Sequence, residues 1–386
     1  MVSFNSDIDC GNGKLISYEQ RKGYEQITFI AESKMFEPAP MWFHFRVGGL
    51  SGGDVRFVIG NAHQFLRDAS DACVITDDYP VYRAPKGKWK RTPRCDYDIG
   101  SDGIPISSFT IPKCPETVEV AFCYPYSTFT LSETMSEINI FQKSLIGYST
   151  KGREILRYST DHSIAEKMPS VYITCRQHAG EVGGSWVLDG IMRYFDCEKG
   201  RAALNDICIW IVPIVDIDGV AEGCYGKDQF LGDMNRSFAV PFASRVETSA
   251  IIQDVMRWSE KCTPKLYVDI HSPAHEVRGM LFNIYAGIKD KHKNLQLDLM
   301  EKVNIFLNKK GKEPFVANIV PADNPGSSQG IKNASRDFFQ SKIGIPTALI
   351  EASYQGPSSG GTFEIEDYRE YGESLACAIT ELINTV

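Results

Sequence analysis

The stretch Val171-Tyr-Ile-Thr-Cys-Arg-Gln-His-Ala-Gly-Glu181 decides the fold, because an apolar strand pattern ends in a turn that carries two candidate metal ligands. His178 and Glu181 stand three residues apart, and the residues that follow them have the periodicity of an amphipathic helix. An imidazole and a carboxylate at a strand-to-helix turn supply two of the three protein ligands of an open zinc site. The pair alone is a weak signal, since a solvated turn can have the same residues, so the prediction depends on the rest of the chain.

A third candidate ligand ends the apolar strand pattern Leu266-Tyr-Val-Asp-Ile-His271. Ligands collect at the carboxyl ends of strands in open parallel sheets, so His271 is well placed to complete the site. Another histidine, His275, follows four residues later. Pro273 argues against a continuous helix between the two histidines, and we therefore do not expect His275 to be a ligand.

Composition and charge limit the classes of protein to which the chain belongs. Of its 386 residues 43% are hydrophobic and 23% are charged, which is typical of a globular protein. The net charge of −8 argues against a nucleic-acid or anionic-membrane partner. Residues 1–9 lack the basic start and apolar core of a signal peptide, and the eleven cysteines form no CxxC pair. We therefore expect a cytoplasmic protein without a nucleic-acid or membrane partner.

The sequence pattern changes near residue 128, which predicts two domains. Residues 1–128 contain short apolar or alternating runs, such as residues 26–30 and 55–59, separated by glycine-rich turns. This spacing predicts an antiparallel β-sandwich domain. Residues 129–386 alternate strand patterns with helical periodicity, which predicts an α/β domain with a mixed or largely parallel sheet flanked by helices.

Several patterns predict particular elements of the second domain. Ser244-Arg-Val-Glu247 has the spacing of a capping box and predicts the start of a helix. Residues 208–215 and 346–353 are apolar enough for buried strands, and residues 366–383 have helical periodicity.

Two further positions have the residue types of a hydrolase site. Asn235 and Arg236, in Gly232-Asp-Met-Asn-Arg236, offer an amide and a guanidinium that can bind a carboxylate, although an isolated pair of this kind is common in surface loops. Glu351 lies inside the apolar run of residues 348–352, where a charge is costly unless it is paired, titrated or close to a metal. Glu351 is therefore a candidate general base.

Taken in their order along the chain, these residues resemble the pattern of the zinc carboxypeptidases. The matching residues are His178-x-x-Glu181, Asp218-Gly219, Asp233-Met-Asn-Arg236, the strand-end His271 and Glu351. Phe43-His-Phe-Arg-Val47, Cys123-Tyr-Pro-Tyr126 and Arg176-Gln-His-Ala-Gly-Glu-Val-Gly-Gly-Ser-Trp186 are similar to the cytosolic carboxypeptidase branch, which includes deglutamylating members and has a leading β domain. The resemblance covers nearly the whole chain and implies the zinc-carboxypeptidase fold.

The resemblance also implies a cofactor and the residues that act with it. One zinc ion per chain would be bound by His178, Glu181 and His271, and Asp233 would orient the first of these histidines. Glu351 would take a proton from the attacking water and later give a proton to the leaving amine. Zinc chemistry of this kind hydrolyses an amide at neutral pH.

The resemblance implies that Asn235, Arg236 and Arg336 recognise the substrate. Near Lys227 the chain departs from the family. Asn235 and Arg236 would hold the terminal carboxylate of the substrate, which makes the enzyme an exopeptidase. Arg336 stands where the family has its specificity determinant and implies a preference for acidic C-terminal residues; a solvated helix end paired with Asp337 is the alternative. The oxyanion-stabilising arginine of the family is missing, and only Lys227 offers a positive charge there.

Two other departures carry less weight. Residues 327–333 contain no tyrosine, where pancreatic-type members have a mobile one. Asp216-Ile-Asp-Gly219 replaces the usual Asn-Pro-Asp-Gly of the family, and we expect this difference to change only the turn.

The leading hypothesis is a zinc-dependent metallocarboxypeptidase that acts on the C-termini of peptides or protein tails. The alternative within hydrolases is an N-acyl amino acid amidohydrolase that resembles the aspartoacylases. The alternative from another class is a catalytically weak module that binds C-terminal tails. The β domain and the Asn235-Arg236 pair favour peptide substrates, whereas the retained ligands and Glu351 oppose the binding module.

Overall fold

Two five-stranded sheets form the N-terminal region. The computed structural model describes the whole chain except residues 36, 65–77, 161–166, 228, 230–231, 240–241, 286–288, 321–332 and 385–386. The strands are β1 (Ser3–Asn5), β2 (Lys14–Arg21), β3 (Tyr24–Ile30), β4 (His44–Gly48), β5 (Val55–Ile59), β6 (Val81–Arg83), β7 (Lys90–Arg91), β8 (Asp96–Ile99), β9 (Pro105–Ile111) and β10 (Thr117–Ala121). They lie in the orders β1-β4-β10-β6-β7 and β2-β3-β5-β9-β8. The predicted antiparallel arrangement is confirmed except that β3 and β5 pair in parallel.

Aromatic side chains join the two sheets. Phe45 on β4 contacts two rings of the other sheet, Phe29 on β3 and Phe57 on β5, with 4.6 and 6.3 Å between the ring centroids. Within that other sheet, Phe57 stacks on Phe109 of β9 at 5.3 Å. All four rings are buried, so the two sheets face each other across an apolar core. This arrangement is the sandwich that the alternating sequence pattern predicts.

A buried ion-pair network lies on the first of these sheets. Glu119 on β10 accepts hydrogen bonds from Arg83 at 2.7 Å and from Arg46 at 3.0 Å, and its Oε1 lies 2.9 Å from Nε2 of His44. Burial raises the pKa of Glu119, but His44, Arg83 and Arg46 outweigh burial and lower the pKa to about 2. Glu119 is therefore held ionised inside the domain.

An eight-stranded mixed sheet forms the second region. Its strands are β11 (Gln142–Tyr148), β12 (Glu154–Ser159), β13 (Pro169–Cys175), β14 (Cys208–Val212), β15 (Thr263–His271), β16 (Met280–Tyr285), β17 (Val316–Val320) and β18 (Thr347–Ala352). The strand order is β11-β12-β14-β13-β15-β18-β16-β17. The central neighbours β14, β13, β15 and β18 pair in parallel, whereas β16 is antiparallel to β18.

Helices cover both faces of this sheet. They are α1 (Thr128–Glu137), α2 (Val182–Asp196), α3 (Glu198–Ala203), α4 (Ile217–Glu222), α5 (Val246–Lys261), α6 (Asp290–Lys309), α7 (Ser335–Phe338) and α8 (Ile365–Ile383). Trp258 of α5 packs in one core cluster with Tyr267 of β15, whereas a Cβ added at Gly184 of α2 would lie 3.1 Å from the side chain of Ile270. Because Tyr267 and Ile270 point to opposite faces of the strand, α5 and α2 lie on opposite faces of the sheet.

Two glycines let α2 and α8 approach closely. A Cβ at Gly190 would lie 2.1 Å from the backbone oxygen of Arg369, and a Cβ at Gly372 would lie 2.0 Å from that of Val187. The helix predicted after the metal motif is confirmed as α2, which lies against both the sheet and α8 and is buried on nearly every side. A helix enclosed by neighbours has no need of a polar face.

The helix predicted to begin near residues 244–247 is confirmed as α5, but the predicted capping box is wrong. Helix α5 has Arg245 at its N-cap position, and no side chain caps it. The carboxylate of Glu247 instead accepts hydrogen bonds from the backbone nitrogen and hydroxyl of Thr150, at 3.0 and 3.1 Å. The carboxylate of Glu247, which the sequence pattern assigned to the end of the helix, therefore binds Thr150 instead.

The chain divides into two compact units. Residues 1–129, 219–230 and 274–277 form the first, and residues 130–218, 231–273 and 278–386 form the second. The sequence assigned the two short segments of the first unit to the second domain. Within the described residues, no helix has both the length and the apolar character needed to cross a membrane.

Candidate metal centre and active site

A buried arginine shapes the loop that carries the first two predicted ligands. Arg176 follows β13 with a φ of 59°, and its Nε donates to the backbone oxygen of Ala179 at 2.8 Å. Its Nη1 donates to Oγ of Ser185 at 3.0 Å, inside the first turns of α2. The guanidinium thus ties both ends of the loop together, a role that the sequence analysis missed although Arg176 belongs to the quoted motif.

The three predicted ligands converge at the carboxyl ends of β13 and β15. Nδ1 of His178 lies 2.7 Å from Oε1 of Glu181, and Nδ1 of His271 lies 2.8 Å from Oε2 of the same carboxylate. One ligand atom from each residue lies within 4.8 Å of the other two. None of the three residues is more than 3% exposed. Two imidazole nitrogens and a carboxylate facing one another are the donor set of an open zinc site.

The outer nitrogen of each histidine faces its own carboxylate. Nε2 of His178 lies 3.1 Å from both oxygens of Asp233, and Nε2 of His271 lies 3.1 Å from Oδ2 of Asp269. A proton on each Nε2 satisfies these carboxylates and leaves both Nδ1 lone pairs for a metal. The donor set therefore fits zinc. The sequence predicted Asp233, but missed Asp269, two residues before His271 in the quoted strand.

Asp269 is itself held by buried donors. Its carboxylate accepts hydrogen bonds from Thr174 at 2.8 Å, from Gln177 at 2.8 and 2.6 Å, and from Ser335 at 2.7 Å. Although burial raises the pKa of Asp269, His271 and these donors lower it below its usual value. The carboxylate that orients His271 is therefore kept ionised and fixed in place.

The charges of the cluster stabilise one another. Burial lowers the pKa of His178, but Asp233 and Glu181 outweigh burial and raise it to about 9. Against the same effect of burial, Asp269 and Glu181 raise the pKa of His271 well above its usual value. Burial raises the pKa of Glu181, but the two histidines lower it well below its usual value. Because metal ligands must be deprotonated, zinc would displace the protons that the histidines hold at neutral pH.

Glu351 lies next to this cluster because of the strand register. In the parallel pair of β15 and β18 its partner is His271. Its Oε1 accepts a hydrogen bond from Nδ2 of Asn283 on β16 at 2.8 Å. The candidate base is therefore placed by rigid strands at the same edge of the sheet as the ligands.

Asn235 and Arg236 occupy a single 3-10 turn, Met234–Arg236, beside the cluster. The carboxylate of Asp233 accepts from the backbone nitrogen of Asn235 at 2.8 Å, so one residue both caps this turn and orients His178. Nδ2 of Asn235 lies 3.3 Å from Nε2 of His271. The amide of Asn235 thus stands next to the metal ligands, and Arg236 follows it in the same turn.

Arg336 is buried at the N-terminal end of α7, with 4% of its surface exposed. Its guanidinium carbon lies 3.5 Å from the centroid of the Tyr285 ring, and its Nε lies 3.4 Å from Oδ1 of Asp337. Its Nη2 is buried and has no hydrogen-bond partner among the described residues. Burial raises the pKa of Tyr285 above its usual value, and the charge of Glu351 adds to this effect. The charges of Arg336, His271 and Arg236 oppose it. Tyr285, which the sequence analysis missed, is the aromatic ring against which the guanidinium of Arg336 packs.

The contacts described above do not include the remaining sequence predictions. Lys227 and His275 belong to the first compact unit, and Nδ1 of His275 lies 2.9 Å from Oδ2 of Asp78 there. The proposed role of Lys227 stays a prediction. Residues 327–332, most of the segment without a tyrosine, lie outside the described residues. Asp218 lies in the first turn of α4 and accepts a hydrogen bond from Arg153 at 2.6 Å.

Two histidines and a glutamate at the carboxyl edge of a mixed α/β sheet define the class of metal-dependent hydrolases. A family model described as zinc carboxypeptidase matches residues 131–278, and one described as cytosolic carboxypeptidase N-terminal domain matches residues 4–124. The chain therefore combines a region that matches the zinc carboxypeptidases with a region that matches the N-terminal domain of the cytosolic branch. The resemblance and the cofactor predicted from the sequence are confirmed, since zinc is the metal of this family.

Individual relatives agree with the family assignment. The chain is 28% identical to cytosolic carboxypeptidase 3 of Mus musculus over 220 residues, which are 52% of this chain and 22% of that protein. It is 24% identical to cytosolic carboxypeptidase 2 of Danio rerio over 262 residues, 61% of this chain and 36% of that protein. The match thus spans about a third or less of these relatives. A metallo-carboxypeptidase from Burkholderia cenocepacia has the same fold, with a TM-score of 0.81, 16% identity and coverage of 100% of this chain and 99% of its own.

Proposed function

We propose that the protein is a zinc-dependent metallocarboxypeptidase that removes C-terminal residues from peptides or protein tails. The observation that carries this proposal is the convergence of His178, Glu181 and His271 beside Asn235, which Arg236 follows in the same turn. A metal site next to a carboxylate-binding pair suits a substrate whose scissile bond lies one residue from a free C-terminus.

The chain's own residues divide the reaction between them. His178, Glu181 and His271 would hold zinc, which when bound supplies a Lewis acid for the scissile carbonyl. Glu351, placed beside His271 by the strand register, takes a proton from the attacking water and returns it to the leaving amine. A carboxylate is the right group for this work because it is ionised at neutral pH and can both accept and donate the proton.

The terminal carboxylate of the substrate pairs with Arg236 and Asn235. Nη1 of Arg236 donates to the backbone oxygen of Asn235 at 3.1 Å, which leaves the other nitrogens of the fork for a ligand carboxylate. A guanidinium binds a carboxylate bidentately, so a free acid is favoured over an amide. This pairing makes the enzyme an exopeptidase.

The free-acid requirement is the property to test. A peptide and its C-terminal amide should differ strongly in cleavage by the parent protein, and hardly at all in cleavage by Arg236→Ala. Losing the charge-assisted pairing costs roughly 2–4 kcal/mol, which corresponds to about 30- to 1,000-fold in kcat/KM. Arg201→Ala is the matched control, because Arg201 is an exposed arginine that pairs only with Asp196 among the contacts described. Equal cleavage of acid and amide by the parent would exclude an exopeptidase.

Two further parts of the proposal concern specificity and location. Support for an acidic preference comes from Arg336, a buried cation whose Nη2 has no hydrogen-bond partner among the described residues. An ionised glutamate or aspartate at the substrate terminus matches this charge. Support for the cytoplasm comes from the cytosolic carboxypeptidase relatives and from the ten described cysteines, which form no disulfide.

A further inference from the structure

An asparagine on the neighbouring strand holds the candidate base. Nδ2 of Asn283 donates to Oε1 of Glu351 at 2.8 Å, and Asn283 is 7% exposed. A hydrogen bond to an ionised acceptor is among the stronger ones in proteins, and it fixes the direction of the carboxylate as well as its charge. No feature of the sequence pattern pointed to Asn283, because the contact joins residues 68 positions apart.

A second asparagine determines which way the amide of Asn283 faces. Oδ1 of Asn283 accepts a hydrogen bond from Nδ2 of Asn318 at 2.7 Å. An ionised carboxylate can only accept, so the nitrogen end of Asn283 must face Glu351, and its oxygen end must face a donor. Both contacts of the Asn283 amide agree with this single orientation, so the two hydrogen bonds fix the orientation of the side chain.

The strand register explains why this contact is rigid. In the antiparallel pair of β16 and β18, Leu281 lies opposite Glu351 and Asn283 lies opposite Leu349. Side chains two residues apart share a face, so Asn283 and Glu351 are diagonal neighbours on one face of the sheet. Asn283 and Asn318 are direct partners in the parallel pair of β16 and β17. Groups carried by paired strands keep their geometry better than groups on loops.

We propose that Asn283 is a positioning residue for Glu351, which rests on the proposed role of Glu351 as the base. Its amide keeps Oε1 engaged as an acceptor and holds the carboxylate in the direction set by the two strands. The carboxylate of Glu351 is then already oriented to accept the proton of the attacking water at each turnover. The side-chain contacts described for Asn283 are with Glu351 and Asn318 and not with Arg236, the proposed partner of the terminal carboxylate, so we expect Asn283 to act on kcat rather than on KM.

Two substitutions at this position separate positioning from packing. Asn283→Ala removes the donor, and we expect kcat to fall about 10- to 100-fold, with KM and zinc content unchanged. Asn283→Asp keeps the shape of the side chain but places a second carboxylate against Oε1, and we expect a larger loss than in Asn283→Ala. A purely structural role predicts the opposite rank, because the isosteric aspartate preserves packing and alanine does not.

A matched control measures how the loss of an asparagine with a purely structural role changes the melting temperature and kcat. Asn304 on α6 donates to the backbone oxygen of Phe315 at 3.0 Å and accepts from its nitrogen at 2.8 Å. Asn304→Ala should lower the melting temperature without changing kcat. The zinc content and melting temperature of every variant are measured first, and Asn283→Ser replaces Asn283→Ala in the ranking if alanine does not give folded protein.

The outcomes distinguish this inference from the proposed function. If the parent cleaves peptides, Glu351→Gln is inactive, and the rank is parent, Asn283→Ala, Asn283→Asp, the inference stands. If Glu351→Gln is inactive but both Asn283 variants stay within threefold of the parent, or the aspartate is the better of the two, Asn283 does not position the base. If the zinc-loaded parent cleaves no peptide, the proposed function itself fails.

Discussion

Replacing Arg336 by leucine tests the proposed preference for acidic C-terminal residues. The guanidinium of Arg336 is 4% exposed, lies over the ring of Tyr285 at 3.5 Å and reaches only Asp337, at 3.4 Å, among the ion pairs described. A buried cation with hydrogen-bonding nitrogens to spare stabilises an anionic ligand and disfavours an apolar or cationic one. Arg336→Leu removes both effects together.

The expected magnitude follows from the contacts. Hydrogen bonds to charged groups contribute about 1.5–3 kcal/mol, and each 1.4 kcal/mol is about tenfold in an equilibrium or specificity constant. Loss of Arg336 should therefore lower kcat/KM for a peptide ending in glutamate by about 10- to 150-fold. A peptide ending in leucine should be cleaved better by the variant than by the parent, because its side chain no longer buries a guanidinium without a partner.

The assay compares peptides that differ only in the last residue. The parent should rank glutamate first, leucine second and lysine last, and Arg336→Leu should exchange the first two ranks while its zinc content stays that of the parent. Arg201→Leu, at an exposed arginine, is the control for loss of a positive charge. A parent that prefers phenylalanine or lysine would refute the reasoning about Arg336 and leave the carboxypeptidase proposal in place.

The remaining predictions concern the metal, the base and the first domain. His271→Ala should lose most of its zinc, measured by elemental mass spectrometry, whereas the exposed His63→Ala should keep it; full occupancy in His271→Ala would require another ligand. Glu351→Gln should keep its zinc and lose about 10²- to 10⁴-fold in kcat, and a residual rate within tenfold of the parent would move the base elsewhere. Because the pKa of Glu119 is lowered to about 2, it stabilises the fold above about pH 4.5, and this stabilisation is lost as the pH falls toward 2. Glu119→Gln should therefore weaken the pH dependence of the unfolding free energy over that range, and an unchanged dependence would contradict the assigned ion pairs.

Local patterns predicted the elements of the sheet and the residues at its edge. The apolar runs that end at Cys175 and His271 correspond to β13 and β15, and the parallel pairing of these strands brings their carboxyl ends together. A ligand at the end of a strand, or within a few residues of it, is therefore visible in sequence. The same reasoning found Glu351, because a charge inside an apolar strand stands out against its neighbours.

Contacts that cross the fold could not be predicted in the same way. Asn283 holds Glu351 only because β16 and β18 are neighbours in a particular register. Asp269 lies two residues before His271, but the donors that hold it, Thr174 and Ser335, come from other parts of the chain. The capping-box pattern failed for the same reason, since Glu247 has a tertiary partner in Thr150 that competes with the helix end. Residue types and spacing carry little information about contacts between residues that are distant in the sequence.

The mass of the peptide products tests the central claim most directly. A peptide with a free C-terminus is incubated with the zinc-loaded protein, and its products are followed by mass spectrometry. We expect masses that fall by one C-terminal residue at a time, no change in the matched C-terminal amide, and no change in either peptide after the zinc is removed by a chelator. Cleavage at internal bonds, or equal loss from the acid and the amide, would contradict the assignment of a zinc-dependent carboxypeptidase.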